Sequence, residues 1–307
     1  GGTPSLLSEK LLAKLVEALQ KNGCWLQPAE ATIEVNPGTA DLDKLRFFKD
    51  LGFDRISFGV QSLNDAELRA VGRIHTANEA LDAITMAEKA GFTRVSADLI
   101  YGLPEQSLQT LKTSLQNLTA AGLQHLSVYG LTIEKNTPLA GMLDKGKVEL
   151  PDEDCQLAMY ELVQEYLEAQ GLHRYEISNY AKPGFESRHN SSYWECGEYI
   201  GIGPSAHSFF NGKRFFYDRS IENFKANKII NDGEGGNAEE YIMLSLRLKK
   251  GLDTEEYAKK YGTPLPQSFF KKTDLYVKNG FMEHNGASYS FTPKGFLVSN
   301  TILADLI

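Results

Sequence analysis

Helical spacing of apolar residues opens the chain: Leu11, Leu12, Leu15, Val16 and Leu19 fall on one face, and Gly23 reads as the residue that closes the helix. A strand-like run, Ala31-Thr32-Ile33-Glu34-Val35-Asn36, follows and stops at Pro37. Asp41 then caps a helix through Leu45, Phe48 and Leu51 that ends at Gly52. The cycle repeats with strand 55–61, a capping box at Thr76 and Glu79, a helix to Ala90, and Gly91. Strand 94–101, helix 108–121 with Gly122, and strand 125–133 complete it. Four entries into strands share one pattern of Gly, apolar, any residue, basic: Gly52-Phe53, Gly91-Phe92, Gly122-Leu123 and Gly171-Leu172. This degenerate repeat of β/α units predicts a parallel sheet or barrel.

Alternation along the strands says which side is which. Thr32, Glu34 and Asn36 share one face of the first strand, against Ile33 and Val35. Ser57, Gly59 and Gln61 oppose Ile56, Phe58 and Val60, and Ser96 and Asp98 oppose Val95, Ala97 and Leu99. The apolar face must meet the helices, so the small and polar face turns inward. A barrel filled with branched apolar side chains would look different; this one leaves room for a polar ligand. Glu34, Gln61 and Asp98 lie toward the C-terminal ends of their strands, where barrel enzymes build their sites.

Beyond Pro151 a long amphipathic helix runs through Leu157, Tyr160, Val163 and Leu167. The stretch 174–217 is strand-like and aromatic, and 231–237 (Asn-Asp-Gly-Glu-Gly-Gly-Asn) reads as a linker. A helix around 241–248, two short helical patterns, and a Gly286 turn between strands near Phe281 and Tyr289 then predict a winged-helix-like end. The expected organisation is a partial barrel over 1–173, an α+β region over 174–237 and the winged-helix-like unit over 238–307.

Net charge is −8 from 32 Lys and Arg against 40 Asp and Glu, which argues against a nucleic-acid partner. No apolar run is long enough for a membrane span, and no signal peptide opens the chain, so a cytoplasmic location is expected. Cys24, Cys155 and Cys196 lie far apart and fit neither a disulfide framework nor a metal motif.

Five motifs stand in order: Gly1-Gly2-Thr3-Pro4-Ser5, Glu34-Val35-Asn36-Pro37, Ser57-Phe58-Gly59-Val60-Gln61, Gly72-Arg73-Ile74-His75 and Asp98-Leu99-Ile100-Tyr101-Gly102-Leu103-Pro104. The series resembles the oxygen-independent coproporphyrinogen III oxidase family of radical S-adenosylmethionine (SAM) proteins. A second group, Arg188-His189-Asn190-Ser191-Ser192-Tyr193-Trp194 and then Gly201-Ile202-Gly203-Pro204-Ser205-Ala206-His207-Ser208, is similar to the signature of the haem-chaperone branch of that family. The resemblance covers essentially the whole chain. It implies an α/β partial (β/α) barrel of the radical SAM type, incomplete at its N-terminus, with a smaller α+β C-terminal region. It also implies SAM, haem, and a [4Fe–4S] cluster held by a Cys-x3-Cys-x2-Cys loop that would precede Gly1. Without those ligands this stretch alone is expected to be inactive.

Carried over residue by residue, the resemblance places the Gly1-Gly2-Thr3 backbone on the SAM amino group and methionine portion, where only glycine lets a main chain come so close. Glu34 would accept from the amino group or ribose; a structural ion pair is its plain alternative. Arg73 would grip the methionine carboxylate through its fork. Gln61 and Asp98 would bond the ribose hydroxyls, and Thr132 would meet the adenine edge, where the match is loosest. His189 would be a haem-site residue, with Tyr193 and Trp194 offering flat surface to a porphyrin. His207, in a Gly-Pro turn beside Phe209-Phe210, reads as part of a packed turn.

The implied function is binding of haem and its delivery to acceptor proteins, with room for peripheral membrane contact and the oligomeric state open. The rival is an enzyme, oxidative decarboxylation of coproporphyrinogen III propionates. A barrel lyase or aldolase would need a lysine at a strand end, and strands 31–36, 55–61, 94–101 and 125–133 hold none.

Overall fold

The computed structural model describes residues 3–26 and 30–307. Gly1 and Gly2 lie outside the described residues. The chain divides into two compact units: the N-terminal portion through Arg174 together with Ser178–Glu186, and Tyr175–Ile177 together with Ser187–Ile307.

In the first unit the elements are α1 (Glu9–Lys21), β1 (Thr32–Val35), α2 (Leu42–Asp50), β2 (Arg55–Gln61), α3 (Asp65–Ala70), α4 (Ala77–Lys89), β3 (Arg94–Tyr101), α5 (Leu108–Ala120), β4 (His125–Gly130), α6 (Pro138–Leu143), α7 (Glu153–Ala169), β5 (His173–Arg174) and β6 (Asn179–Ala181). The six strands form one sheet in the order β1-β2-β3-β4-β6-β5. β1 to β4 are parallel, as the repeat predicts. The helix signals act where the sequence puts them. The Asp41 carboxylate accepts from Lys44 N, Thr76 and Glu79 form the capping box of α4, and Gly52, Gly91 and Gly122 follow their helices with positive φ.

The fourth copy keeps the direction of β4 but not its place beside it, because β6 is inserted between them. After Gly171-Leu172, β5 is two residues long and lies at the far edge, paired antiparallel to β6, which is itself antiparallel to β4. A parallel strand needs a crossover of a dozen or more residues; β5 and β6 are joined by a short connection that only reverses the chain.

One face of the sheet packs on helices. Ile33, Val35, Ile56, Phe58, Val60, Val95, Ala97, Leu99, Leu126 and Val128 are buried against Leu45 and Phe48 of α2, Ala83 and Ile84 of α4, Leu111 and Leu115 of α5, and Met159 and Val163 of α7. Each of the larger side chains among these contributes roughly 1.5–3 kcal/mol by leaving water, which fixes the register and turns the polar face the other way.

The second unit holds α8 (Arg188–Trp194), β7 (His207–Phe210), β8 (Lys213–Tyr217), α9 (Ile221–Lys225), β9 (Ile229–Glu234), α10 (Ala238–Ser245), β10 (Leu252–Asp253), α11 (Thr254–Tyr261), α12 (Gln267–Lys278), β11 (Met282–Asn285), β12 (Ser288–Phe291), α13 (Pro293–Leu297) and α14 (Ser299–Leu306). From α10 onward the order is helix, strand, two helices and a hairpin, with the strands ranged β10-β12-β11. The helices and the hairpin stand in the order the sequence predicts, and β10 is a strand it did not mark. Its core gathers Leu246, Leu252, Phe269, Phe291, Phe296 and Ile302.

Two sequence expectations are corrected here. The His-Asn-x-x-Tyr-Trp stretch is a short helix, α8, capped by the Ser187 hydroxyl, inside a region that reads as strand. The 231–237 segment is no free linker, because its first half is the end of β9 and pairs with β8. Gly236, at φ +76, follows as the chain turns past the Phe209 ring, where an added Cβ would sit 2.9 Å from Cζ.

Candidate functional site

In-register pairing lines up the polar faces of the parallel strands. Glu34 pairs with Ser57, Ser57 with Ser96, Ser96 with His125, and Asp98 with Ser127. A chain of hydrogen bonds follows. Arg55 Nη2 donates to Ser96 Oγ at 3.0 Å, Ser96 Oγ to Ser57 Oγ at 2.9 Å, and Ser57 Oγ to Asp98 Oδ1 at 3.4 Å. Burial pushes the Asp98 carboxyl up from its ordinary value. Hydrogen bonds from Ser127 and Ser57 and the charge of Arg55 work the other way, and the Glu34 carboxylate adds to the rise.

The C-terminal ends of β1 and β2 carry the second part of the site. Asn36 Nδ2 donates to Thr3 Oγ1 at 3.1 Å, and Arg73 Nη1 donates to Asn36 Oδ1 at 3.3 Å. Desolvation lowers the proton affinity of the Arg73 guanidinium, and the field of Asp98 opposes that change. Between these groups lies Gly59, where a Cβ would stand 3.1 Å from Gln61 Nε2 and 3.2 Å from Asn36 Oδ1. Gln61 ends β2 at φ +68, and the pairing of β2 with β3 slips between Phe58 and Gln61. A bulge with a left-handed non-glycine residue is costly local geometry; here it re-aims the Gln61 side chain toward Gly59.

The loops bearing these groups are fastened from behind. His75 Nε2 meets Val60 O at 3.0 Å, holding the 72–75 segment on β2. Glu67, wholly buried on α3, accepts from Ser62 Oγ at 2.5 Å and from Gln106 Nε2 at 3.0 Å. Gln106 Oε1 in turn accepts from Gly102 N at 2.7 Å, so one carboxylate ties the loop after β2 to the loop after β3.

The structure therefore brings Thr3, Gln61, Arg73 and Asp98 to one rim, and Glu34 enters through its charge on Asp98. Thr132 stands exposed two residues beyond β4, outside the network. His189 is in the second unit, exposed in the first turn of α8, its Nε2 3.0 Å from Tyr193 Oη and its ring edge-on to that tyrosine. His207 is a correction: it is no packed turn but the first residue of β7, with its side chain 58% exposed. Asn36, Ser57, Glu67 and Gln106 were not singled out as site residues. Parity along the strands marks Asn36 and Ser57, whereas nothing local marks Glu67 or Gln106.

The groups gathered here are carboxylates at Glu34 and Asp98, an amide at Gln61 and a guanidinium at Arg73, whose fork has the geometry to take a carboxylate. An iron–sulfur cluster does not fit the residues described. Cys24, Cys155 and Cys196 are all free thiols, and among the described residues no three His, Cys, Asp or Glu side chains gather as a metal site.

Residues 1–118 match the Radical SAM superfamily, and residues 237–298, from just before α10 to just past α13, match the HemN C-terminal domain. A protein of Bacillus subtilis (strain 168) named heme chaperone HemW is 32% identical over 318 residues, covering 98% of this chain and 82% of the relative. Its namesake in Haemophilus influenzae is 34% identical over 317 residues, covering 99% and 80%. Among solved structures, coproporphyrinogen III oxidase (HemN) from Escherichia coli, described as a radical SAM enzyme, superposes with a TM-score of 0.82. It covers 100% of this chain and 76% of that one at 22% identity, a likeness of fold. With both ends of the chain matched and the identity sustained between them, the chain belongs to the HemW family of radical SAM proteins.

Proposed function

We propose that this protein is a haem chaperone of the radical SAM type, acting in the cytoplasm to bind haem and pass it to acceptor proteins. The observation that carries the reading is the sustained similarity to relatives named heme chaperone, over 98–99% of the chain. Porphyrinogen oxidation is the second reading, and it rests on a likeness of fold at 22% identity.

SAM, when bound, supplies a sulfonium and a potential source of radical chemistry. The chain's own part is to hold it. Glu34 accepts from the ammonium, Arg73 grips the carboxylate, and Gly59 leaves space beside them. Asp98 and Gln61 take the ribose hydroxyls, with Gly1, Gly2 and Thr3 along the methionine portion and Thr132 at the adenine. His189 contacts haem from α8.

The test is a hemin titration followed by the Soret band, then mixing of the loaded protein with an apo-haem protein in excess. Stoichiometric uptake and transfer of the Soret signal to the acceptor is the expected result. Turnover of coproporphyrinogen III with no uptake of hemin would instead establish the second reading.

A further inference from the structure

The two outer strands of the β7-β8-β9 sheet are not alike. β7 has a neighbour beyond it, because Tyr199 forms an isolated bridge with Phe209. β9 has none among the described residues: it is hydrogen-bonded to β8 alone, and most of its six residues are exposed. It is also the longest strand at any sheet edge in the described residues. An unpaired edge of this kind is a template for another strand.

Alternation decides which main-chain groups face outward. Tyr217 N donates to Ala206 O at 3.2 Å, and Tyr217 O accepts from Ser205 N at 3.0 Å, so Tyr217 spends both groups on the β7 side. Phe216 therefore turns to β9, where it pairs with Ile230. Ile230 faces back to β8, and its neighbours Ile229 and Asn231 direct their N–H and C=O away from the sheet. The Asn231 side chain is taken up locally, its Oδ1 accepting from Gly233 N at 3.0 Å.

The side chains of this segment complement themselves. Lys228, Ile230 and Asp232 share one face of the strand. Two contacts agree with that parity: Asp232 Oδ2 is 3.7 Å from His207 Nδ1, whose ring stacks on Phe216, and Lys228 lies in the field of Asp218, two residues along from Phe216. Laid antiparallel about Ile230, two copies set Ile230 against Ile230 and each Lys228 opposite Asp232 of the other copy. The same register sets Ile229 opposite Asn231, the two residues whose main-chain groups point outward. Moving the centre one residue either way sets Ile230 against Asp232 or Lys228, a poorer match.

We propose that β9 is a self-association edge, through which two copies of this chain pair antiparallel with Ile230 at the two-fold axis, so that each three-stranded sheet continues into its copy. The occupant is a second copy because opposite charges meet only when the strand faces itself in this register.

Sedimentation velocity of the chain from low to high micromolar concentration reads the association, with circular dichroism reporting the fold of each variant. The contact is small beside a standard interface of about 1,600 Å², so the dimer should be weak, with a Kd on the order of tens of micromolar. Lys228→Glu and Asp232→Lys each set like charges opposite one another and should weaken it about tenfold. The double variant restores opposite charges and should return to within about threefold of wild type. Within one copy these positions lie roughly 13 Å apart along the chain, so a structural role in the monomer does not produce that rescue. Ile229→Pro removes an outward N–H while leaving Ile230 to pair with β8, and should abolish the dimer. A wild type that stays monomeric at every concentration overturns the proposal and leaves the edge to a strand of another protein. Association that all three single variants leave unchanged overturns it by placing the contact elsewhere. A double variant as weak as either charge variant overturns it as well, because the register then fails.

Discussion

The polar face of the parallel sheet and the aromatic face of β7-β8-β9 solve opposite problems. In the first, Arg55, Ser96, Ser57 and Asp98 are joined by hydrogen bonds across two strands whose other side is fully packed. Each group is held by register and burial, and none can move without disturbing a neighbour. In the second, His207 and Phe216 hold each other by ring contact, and β9 is exposed along most of its length. Rigid polar groups suit a ligand that must be gripped in one pose. An open face suits a cargo that arrives and leaves on the protein surface.

The sharpest contrast should appear in stability. Phe58 is 0% exposed in β2, and Phe58→Ala should cost about 3–5 kcal/mol through lost transfer energy and the cavity left behind. Phe216 is only half-buried, and Phe216→Ala should cost under about 1 kcal/mol, the scale of one cross-strand pair. Chemical denaturation of the two variants measures the difference, and equal losses would erase the distinction between the faces.

Ligand binding sharpens it next. Arg73→Ala removes the only fork at the rim among the described residues that reaches Asn36, and SAM affinity should fall about 10–100-fold, with hemin binding untouched. His189→Ala should do the reverse, weakening hemin and sparing SAM. Calorimetry for one ligand and the Soret band for the other read both arms, and a single variant that lowers both would mean the sites are not independent.

Much of the first face was legible in the sequence. Alternation in 32–36, 55–61 and 94–101 marks its inward residues because a strand has a period of two and no other freedom. Helix ends were legible for the same local reason, at Asp41, Thr76 with Glu79, and Gly91. What the sequence did not reveal is non-local. Glu67 matters through Gln106, 39 residues away, and no short-range signal marks that meeting. Residues 231–234 look like linker by composition, and become strand only because β8 offers a partner. α8 hides among Ser, Asn and His because its helix is set by the Ser187 cap and tertiary contacts such as Trp194 under Arg247. His207 misled for a similar reason: its neighbours in sequence suggest packing, while its neighbours in space are Phe216 and Asp232.

Asp98 offers a way to separate binding from folding within the first face. Its carboxyl is raised chiefly by burial, so the folded state binds a proton more readily than the unfolded chain. Stability is then lost as pH rises from the ordinary carboxylate value through the raised one, and the loss persists at neutral pH. Asp98→Asn should accordingly raise the melting temperature at pH 7 while lowering SAM affinity about tenfold, the scale of one hydrogen bond to a charged acceptor. A variant less stable than wild type at pH 7 would show that the Ser127, Ser57 and Arg55 contacts outweigh the burial.

The smallest effect concerns the floor of the same face. His125 is buried at the start of β4, and its imidazolium is disfavoured first by burial and then by the charges of Arg55 and Arg94, which holds its value well below the ordinary one. In the unfolded chain the same imidazole takes up a proton near pH 6.5. Below that pH the unfolded state therefore binds one proton more than the folded state does, and stability falls as pH falls, by up to about 1.4 kcal/mol per pH unit, until the folded value is reached. His125→Gln removes the titration while keeping a polar side chain of similar reach. Urea denaturation of wild type and variant between pH 7 and pH 5.5 should give a steeper loss in wild type, the difference approaching one proton. Parallel curves would mean that His125 is protonated in the fold, and that Arg55 and Arg94 do not exert the field their positions imply.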